Sequence, residues 1–145
     1  MYVRQNMIVK SSLLEKVPGL LHGFGTAEQS IPKSFNPIWE KTKPVWKQVH
    51  KTQIAEVFSP GQACGEVDAL YTRMNDLAIG VWTADCVPVL LANTSGKGIA
   101  SVHAGWRGTY DRIVVEFWKQ LEKQGEQASN WVAAVGPAVG PCCYQ

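Results

Sequence analysis

Apolar residues over the first 60 positions come in short groups cut by Pro18, Pro32, Pro37, Pro44 and Pro60, with Gly19, Gly23 and Gly25 among them. Both residue types interrupt regular backbone, so this region predicts only short strands, with Met7 to Leu14 and Trp46 to Val57 as the candidates. From Ala78 the texture changes. Ala78 to Ala92 is almost wholly apolar and β-rich, and Ile99 to His103 is a second such run. Between them Asn93-Thr94-Ser95-Gly96-Lys97-Gly98 has turn composition, which predicts a β-hairpin whose first strand lies near Val87 to Ala92. Downstream, Ile113, Phe117 and Leu121 recur at four-residue spacing, with Val114 and Trp118 on a neighbouring line. That is the apolar stripe of an amphipathic helix, with Thr109 as its expected cap and Gly125 as its stop. Trp131 to Val135 predicts a short buried strand, and Gly136-Pro137-Ala138-Val139-Gly140-Pro141 a rigid loop.

Length and composition narrow the class. A chain of 145 residues with 46% hydrophobic content supports one sizeable core, so residues 1–145 are expected to form a single domain. The 14 basic and 12 acidic residues give a net charge of +2 and are scattered, without the basic stripe that binding a phosphate backbone requires. No nucleic-acid partner is expected. The stretch Met1 to Lys10 mixes Arg4, Gln5 and Asn6 with Ile8 and Val9, unlike a signal peptide, and no apolar run approaches the roughly 20 residues of a membrane span. The expected location is the cytoplasm, without a membrane partner. Cys64, Cys86, Cys142 and Cys143 include an adjacent pair, a poor framework for disulfides, so reduced thiols are expected.

The hairpin brings candidate chemistry together. Opposing residues in an antiparallel pair have numbers that sum to about twice the turn centre, here near position 95, so Cys86 and His103 are expected across from each other to within one residue of register. A one-residue slip reverses the faces. A thiolate and an imidazole so held suit a zinc-type metal or a cysteine–histidine nucleophile pair. The chain has three histidines, and His50, at the end of the candidate strand Trp46 to His50, is the natural third ligand; His22 sits before Gly23 and Phe24. One cysteine and two histidines leave a fourth tetrahedral position open, as in catalytic zinc sites.

Thr83-Ala84-Asp85-Cys86-Val87-Pro88 and His103-Ala104-Gly105-Trp106-Arg107-Gly108-Thr109 resemble the laccase-domain family, whose members carry the labels polyphenol oxidase, purine nucleoside phosphorylase and peptidoglycan editing factor. His22-Gly23-Phe24-Gly25-Thr26, Gln48-Val49-His50, Asp68-Ala69-Leu70-Tyr71-Thr72 and the stretch Gly136 to Tyr144 follow in the family's order. The resemblance implies a mixed α/β sandwich with helices outside the sheets, and a three-ligand metal site on His50, Cys86 and His103, with zinc the usual metal and copper the alternative. It implies phosphorolysis of adenosine, inosine, guanosine and methylthioadenosine, and deamination of adenosine. It also marks departures. Thr26-Ala27-Glu28 stands where the family usually has an arginine, the stretch from Phe35 to Gln48 is short enough to predict the loss of a helix, and family members continue well beyond Tyr144-Gln145. A family fold lacking its C-terminal part would leave a sheet edge to be covered by dimerisation or a longer parent chain, so monomer and homodimer are both expected.

Around the ligands, Asp85 is a candidate to fix a ligand imidazole and to shuttle protons, and Arg107 a candidate fork for phosphate, although a structural ion pair suits it as well. Trp106 offers a face to a purine, or simply packs. Asp68 is placed to orient a ligand, bind ribose hydroxyls or cap the following turn. Cys142 and Cys143 read as structural, and the backbone of the loop before them as a wall of the substrate pocket. The competing functions are a metal-free Cys86–His103 hydrolase or amidase, a copper polyphenol oxidase, and a metal-binding chain without turnover.

Overall fold

The computed structural model describes residues 2–5 and 8–144, the first four by their backbone. β1 (Tyr2–Gln5) and β2 (Ile8–Ser11) pair antiparallel, followed by a 3-10 turn at Leu14–Lys16. The strand expected from Met7 to Leu14 is therefore confined to its middle, and Met7 lies outside the described residues.

α1 (Asn36–Thr42) corrects the expectation that the first 60 residues hold strands alone and that a helix is lost after Phe35. Pro37 does not break the backbone here, because it falls in the first helical turn, where its missing N–H has no partner to lose. The expected strand Trp46 to Val57 divides into β3 (Val45–Lys47) and β4 (Ile54–Glu56), separated by a loop in which His50 has φ of 59°. A left-handed residue cannot continue a strand, so His50 ends no strand.

β5 (Ala63–Glu66) pairs parallel with β3. β6 (Ala69–Thr72), β7 (Val87–Asn93), β8 (Ile99–Ala104) and β9 (Trp131–Val135) join β4 in a five-stranded mixed sheet, in the order β4-β6-β8-β7-β9. The fold is mixed α/β. The hairpin β7–β8 turns where Ser95 N donates to Asn93 Oδ1 at 2.9 Å and Gly96 takes φ of 76°. Its register pairs Val87 with Ala104 and Pro88 with His103. Cys86 thus lies just before β7, two residues upstream of the partner of His103, which corrects the expected direct opposition. An even offset preserves the alternation of faces.

α2 (Trp106–Tyr110) follows β8, and α3 (Ile113–Lys123) follows α2. Thr109 lies inside α2 and caps nothing; Arg112, at φ of 61°, separates the two helices and leads into α3. Gly125, at φ of 87°, closes α3: its N–H donates to Glu122 O, and Glu126 N donates to Leu121 O, the paired bonds of a left-handed helix stop. Ile113, Phe117 and Leu121 are buried against Ala69, Tyr71, Val89, Leu91 and Val102 on one sheet face. Each fully buried large side chain there contributes about 2 kcal/mol of apolar transfer energy. The alternate residues, Leu90, Ala92, Ile99 and Ala134, meet Leu14, Val17 and Phe24 on the other face. That face also borders a cavity of about 1000 Å³, lined by Phe24, Trp39, Leu77, Leu90 and Ser101 among others.

Candidate metal centre

Three segments meet at one end of the central sheet. His103 is in β8 and buried, Cys86 is half-buried just before β7, and His50 is exposed in the loop between β3 and β4. One donor atom from each lies within 4.8 Å of the others, and this is a metal-competent cluster among the described residues. The two imidazoles stand nearly perpendicular, at 81°, with ring centres 4.7 Å apart. Gly105 faces all three. A Cβ at that position would stand 3.0 Å from His50 Cδ2, 3.2 Å from Cys86 Sγ and 3.6 Å from His103 Cε1. Only a residue without a side chain leaves the space between the donors free.

Asp68 organises this group. Continuing the β6–β8 register places it opposite His103, and His103 N donates to Asp68 O at 2.7 Å. The carboxylate, fully buried, receives His103 Nδ1 at 2.7 Å on Oδ1. Because an ionised carboxylate only accepts, Nδ1 carries the proton and Nε2 keeps its lone pair for a metal. The same carboxylate accepts His50 N at 2.9 Å on Oδ1, and Lys51 N at 2.9 Å and Val49 N at 3.1 Å on Oδ2. Burial alone would raise its pKa, but the N–H groups of Lys51, Val49 and His50 and the His103 ring outweigh burial and hold it below the ordinary carboxylate value. The Cys86 thiol, in contrast, is pushed up by burial and by the negative charges of Asp85 and Asp68. A cation is what would reverse that, since a coordinating thiol gives up its proton. One sulfur and two imidazole nitrogens fit zinc and also copper.

The other residues singled out from sequence fall around this group in different ways. Asp85 is exposed, and its carbonyl accepts Val139 N at 3.1 Å; the carboxylate that fixes His103 is Asp68 rather than Asp85. Trp106 and Arg107 open α2 directly after Gly105, both exposed, with the guanidinium carbon 5.1 Å from the centre of the indole ring. Buried Asp68 spends its oxygens on four protein donors. The loop 136–141 is anchored through Gly136 N to Pro88 O at 2.8 Å as well as through Val139. Sequence reasoning passed over Gln48, which ties the His50 loop to the segment before Cys86: its Nε2 donates to Trp82 O at 2.8 Å, and Trp82 N donates to its Oε1 at 2.7 Å. Its place two residues before His50 was the available signal.

Comparison with known proteins is decided by the part of the chain that builds this centre. The family described as multi-copper polyphenol oxidoreductase laccase matches residues 36–145. The chain belongs to this laccase family. Relatives within it include a purine nucleoside phosphorylase of Haemophilus influenzae, 40% identical over 98 residues, which cover 68% of this chain and 38% of that protein. The adenosine deaminase RL5, from an unknown prokaryotic organism, is 42% identical over 79 residues, or 54% of this chain and 30% of its own length. Among solved structures, YlmD from Geobacillus stearothermophilus superimposes with a TM-score of 0.62 at 34% identity, covering 68% of this chain and 42% of that one. This laccase-family chain therefore spans well under half the length of these relatives. Among the described residues, no helix is long and apolar enough to cross a membrane.

Proposed function

We propose that this chain carries the zinc centre of an enzyme that acts on purine nucleosides, phosphorolysing adenosine, inosine, guanosine and methylthioadenosine and deaminating adenosine. The observation that carries the reading is the convergence of His50, Cys86 and His103 on one point, with Asp68 fixing the two histidine-bearing segments. The names of the relatives, purine nucleoside phosphorylase and adenosine deaminase, supply the substrate class. Zinc is preferred to copper because one isolated site is poorly equipped for the four-electron reduction of oxygen that a polyphenol oxidase performs.

His50 Nδ1 or Nε2, His103 Nε2 and the Cys86 thiolate would hold the ion. When bound, it supplies Lewis acidity at neutral pH. The surrounding residues do the rest. Asp68 keeps the His103 ring in one tautomer and orientation. Trp106 presents an exposed indole face on which a purine stacks, while Arg107, on the same turn, offers a planar fork to phosphate. Asp85, beside Cys86, takes and returns the proton in the deamination. A metal-free Cys86–His103 nucleophile is disfavoured by the raised Cys86 thiol. The reading also takes the chain as cytoplasmic, as a monomer or homodimer, without nucleic-acid or membrane partners. Four unpaired cysteines and a small net charge support this.

The test is turnover of inosine and adenosine by zinc-loaded protein, with and without phosphate. Phosphate-dependent release of hypoxanthine and phosphate-independent release of ammonia are expected, and His50→Ala should abolish both together with the bound zinc. Absence of base and of ammonia from folded, zinc-loaded protein overturns the reading, as does full activity in His50→Ala.

A further inference from the structure

Outside the His50, Cys86 and His103 group, the four-residue stretch 141–144 carries two adjacent thiols. Cys142 and Cys143 are both exposed, and their sulfurs lie 3.4 Å apart. Neighbouring side chains in extended backbone point to opposite sides. Here a tight turn brings them together, because Cys143 N donates to Gly140 O at 3.0 Å and Tyr144 N to the same oxygen at 3.1 Å. The turn stands on a fixed base, since Gly136 and Val139 are bonded to Pro88 and Asp85. The other two cysteines are less open to exchange. Cys64 is half-buried, with its thiol pushed up by burial, and Cys86 is half-buried within the metal group.

We propose that Cys142 and Cys143 form a reversible oxidation site, at which a small-molecule disulfide converts the adjacent thiols into a ring disulfide between neighbouring residues. One thiolate attacks the small disulfide and expels one thiol, leaving a mixed disulfide on the protein. The second thiolate, already at contact distance, attacks the protein-side sulfur and expels the other thiol. The balance is two protein thiols plus one disulfide giving one protein disulfide and two small thiols. Adjacent Cα atoms are about 3.8 Å apart, closer than the roughly 4.4–6.8 Å spanned by ordinary disulfides, so the closed ring is strained and readily reduced. A strained, exposed disulfide responds to the surrounding thiol poise and does not act as a permanent staple.

Metal-loaded full chain is incubated with excess oxidised glutathione, the remaining thiols are alkylated, and intact and peptide masses are read. The expected result is a peptide containing positions 142 and 143 that has lost two hydrogens and carries no glutathione, and that returns to the dithiol with dithiothreitol. Cys142→Ser and Cys143→Ser should each instead retain one glutathione at the surviving cysteine. Both lie on an exposed turn, so folding is preserved. Stable glutathione on either cysteine of the unsubstituted protein overturns the proposal. So do two thiols left free for alkylation, or a disulfide that joins two chains.

Discussion

The α3-covered face of the sheet and the end where His50, Cys86 and His103 meet are ordered by opposite means. Under α3, Tyr71, Phe117, Trp118 and Trp131 pack edge to face or, for Tyr71 and Trp131, tilted, with ring centres 5.7–6.1 Å apart, and share their burial with aliphatic neighbours on three strands. No single contact there is indispensable, because dispersion is spread over many atom pairs. At the ligand end, one carboxylate serves four donors from two distant parts of the chain. Packing distributes stability, whereas a buried charge concentrates it on one group.

Substitutions on each side should therefore fail differently. The largest effect is expected from Phe117→Ala, which removes a fully buried ring and should lower stability by about 4 kcal/mol in chemical denaturation, with the folded fraction still binding one equivalent of metal. Loss of metal from that folded fraction would erase the distinction between the two regions. Next comes Asp68→Asn, whose amide group presents hydrogens to backbone N–H groups that need an acceptor. A loss of about 3 kcal/mol is expected, with a 10–100-fold weaker metal affinity in chelator competition. Stability and affinity both at the original level would show that the carboxylate is not the organising group.

Gly105→Ala sharpens the comparison from the other direction. The backbone there, at φ −71° and ψ 172°, admits alanine without strain, so the added methyl acts on the ligands alone. Metal affinity should fall about tenfold, while the unfolding free energy of the metal-free protein changes by no more than about 1 kcal/mol because the exposed His50 ring can give way. The smallest effect comes from the face opposite α3. Buried His22 accepts Ser11 N on Nε2 at 3.0 Å, and burial, followed by the charge of Lys10, holds its pKa below the ordinary 6.5. As pH falls through 6.5 the unfolded chain takes up that proton first, so stability is complete above this value and declines below it. Metal-free denaturation midpoints measured across this range should show the decline, and His22→Gln should flatten it.

The features that sequence disclosed are those set by neighbouring residues. The turn at Asn93 to Gly98, the stripe of Ile113, Phe117 and Leu121, and the stop at Gly125 each follow from local backbone or one-face burial, and each was found where its residues stand. Pro37 misled because the same residue that breaks a helix interior also starts one. Of the centre itself, the grouping of His50, Cys86 and His103 was accessible through the family resemblance, while the hairpin sum placed Cys86 two residues away from its actual register. The hidden part was what holds them. His50 lies in a left-handed loop that no periodicity announces, and the bond from Asp68 to His103 spans 35 positions. Asp68 could be named as a candidate orienter, but its choice over Asp85 needed the β6–β8 register, which tertiary pairing alone provides.

The sharing of one carboxylate among Val49, His50, Lys51 and His103 also bears on how much of the chain must be synthesised before the cation site can exist. Asp68 is held beside the His50 loop by contacts within residues 49–72, its N–H donating to Gln53 O at 3.0 Å where β6 pairs with β4, whereas its bond to the His103 ring requires β8. A nascent chain halted before residue 103 would therefore keep the anchor of the His50 loop but lack the buried imidazole, and would hold no assembled cation site.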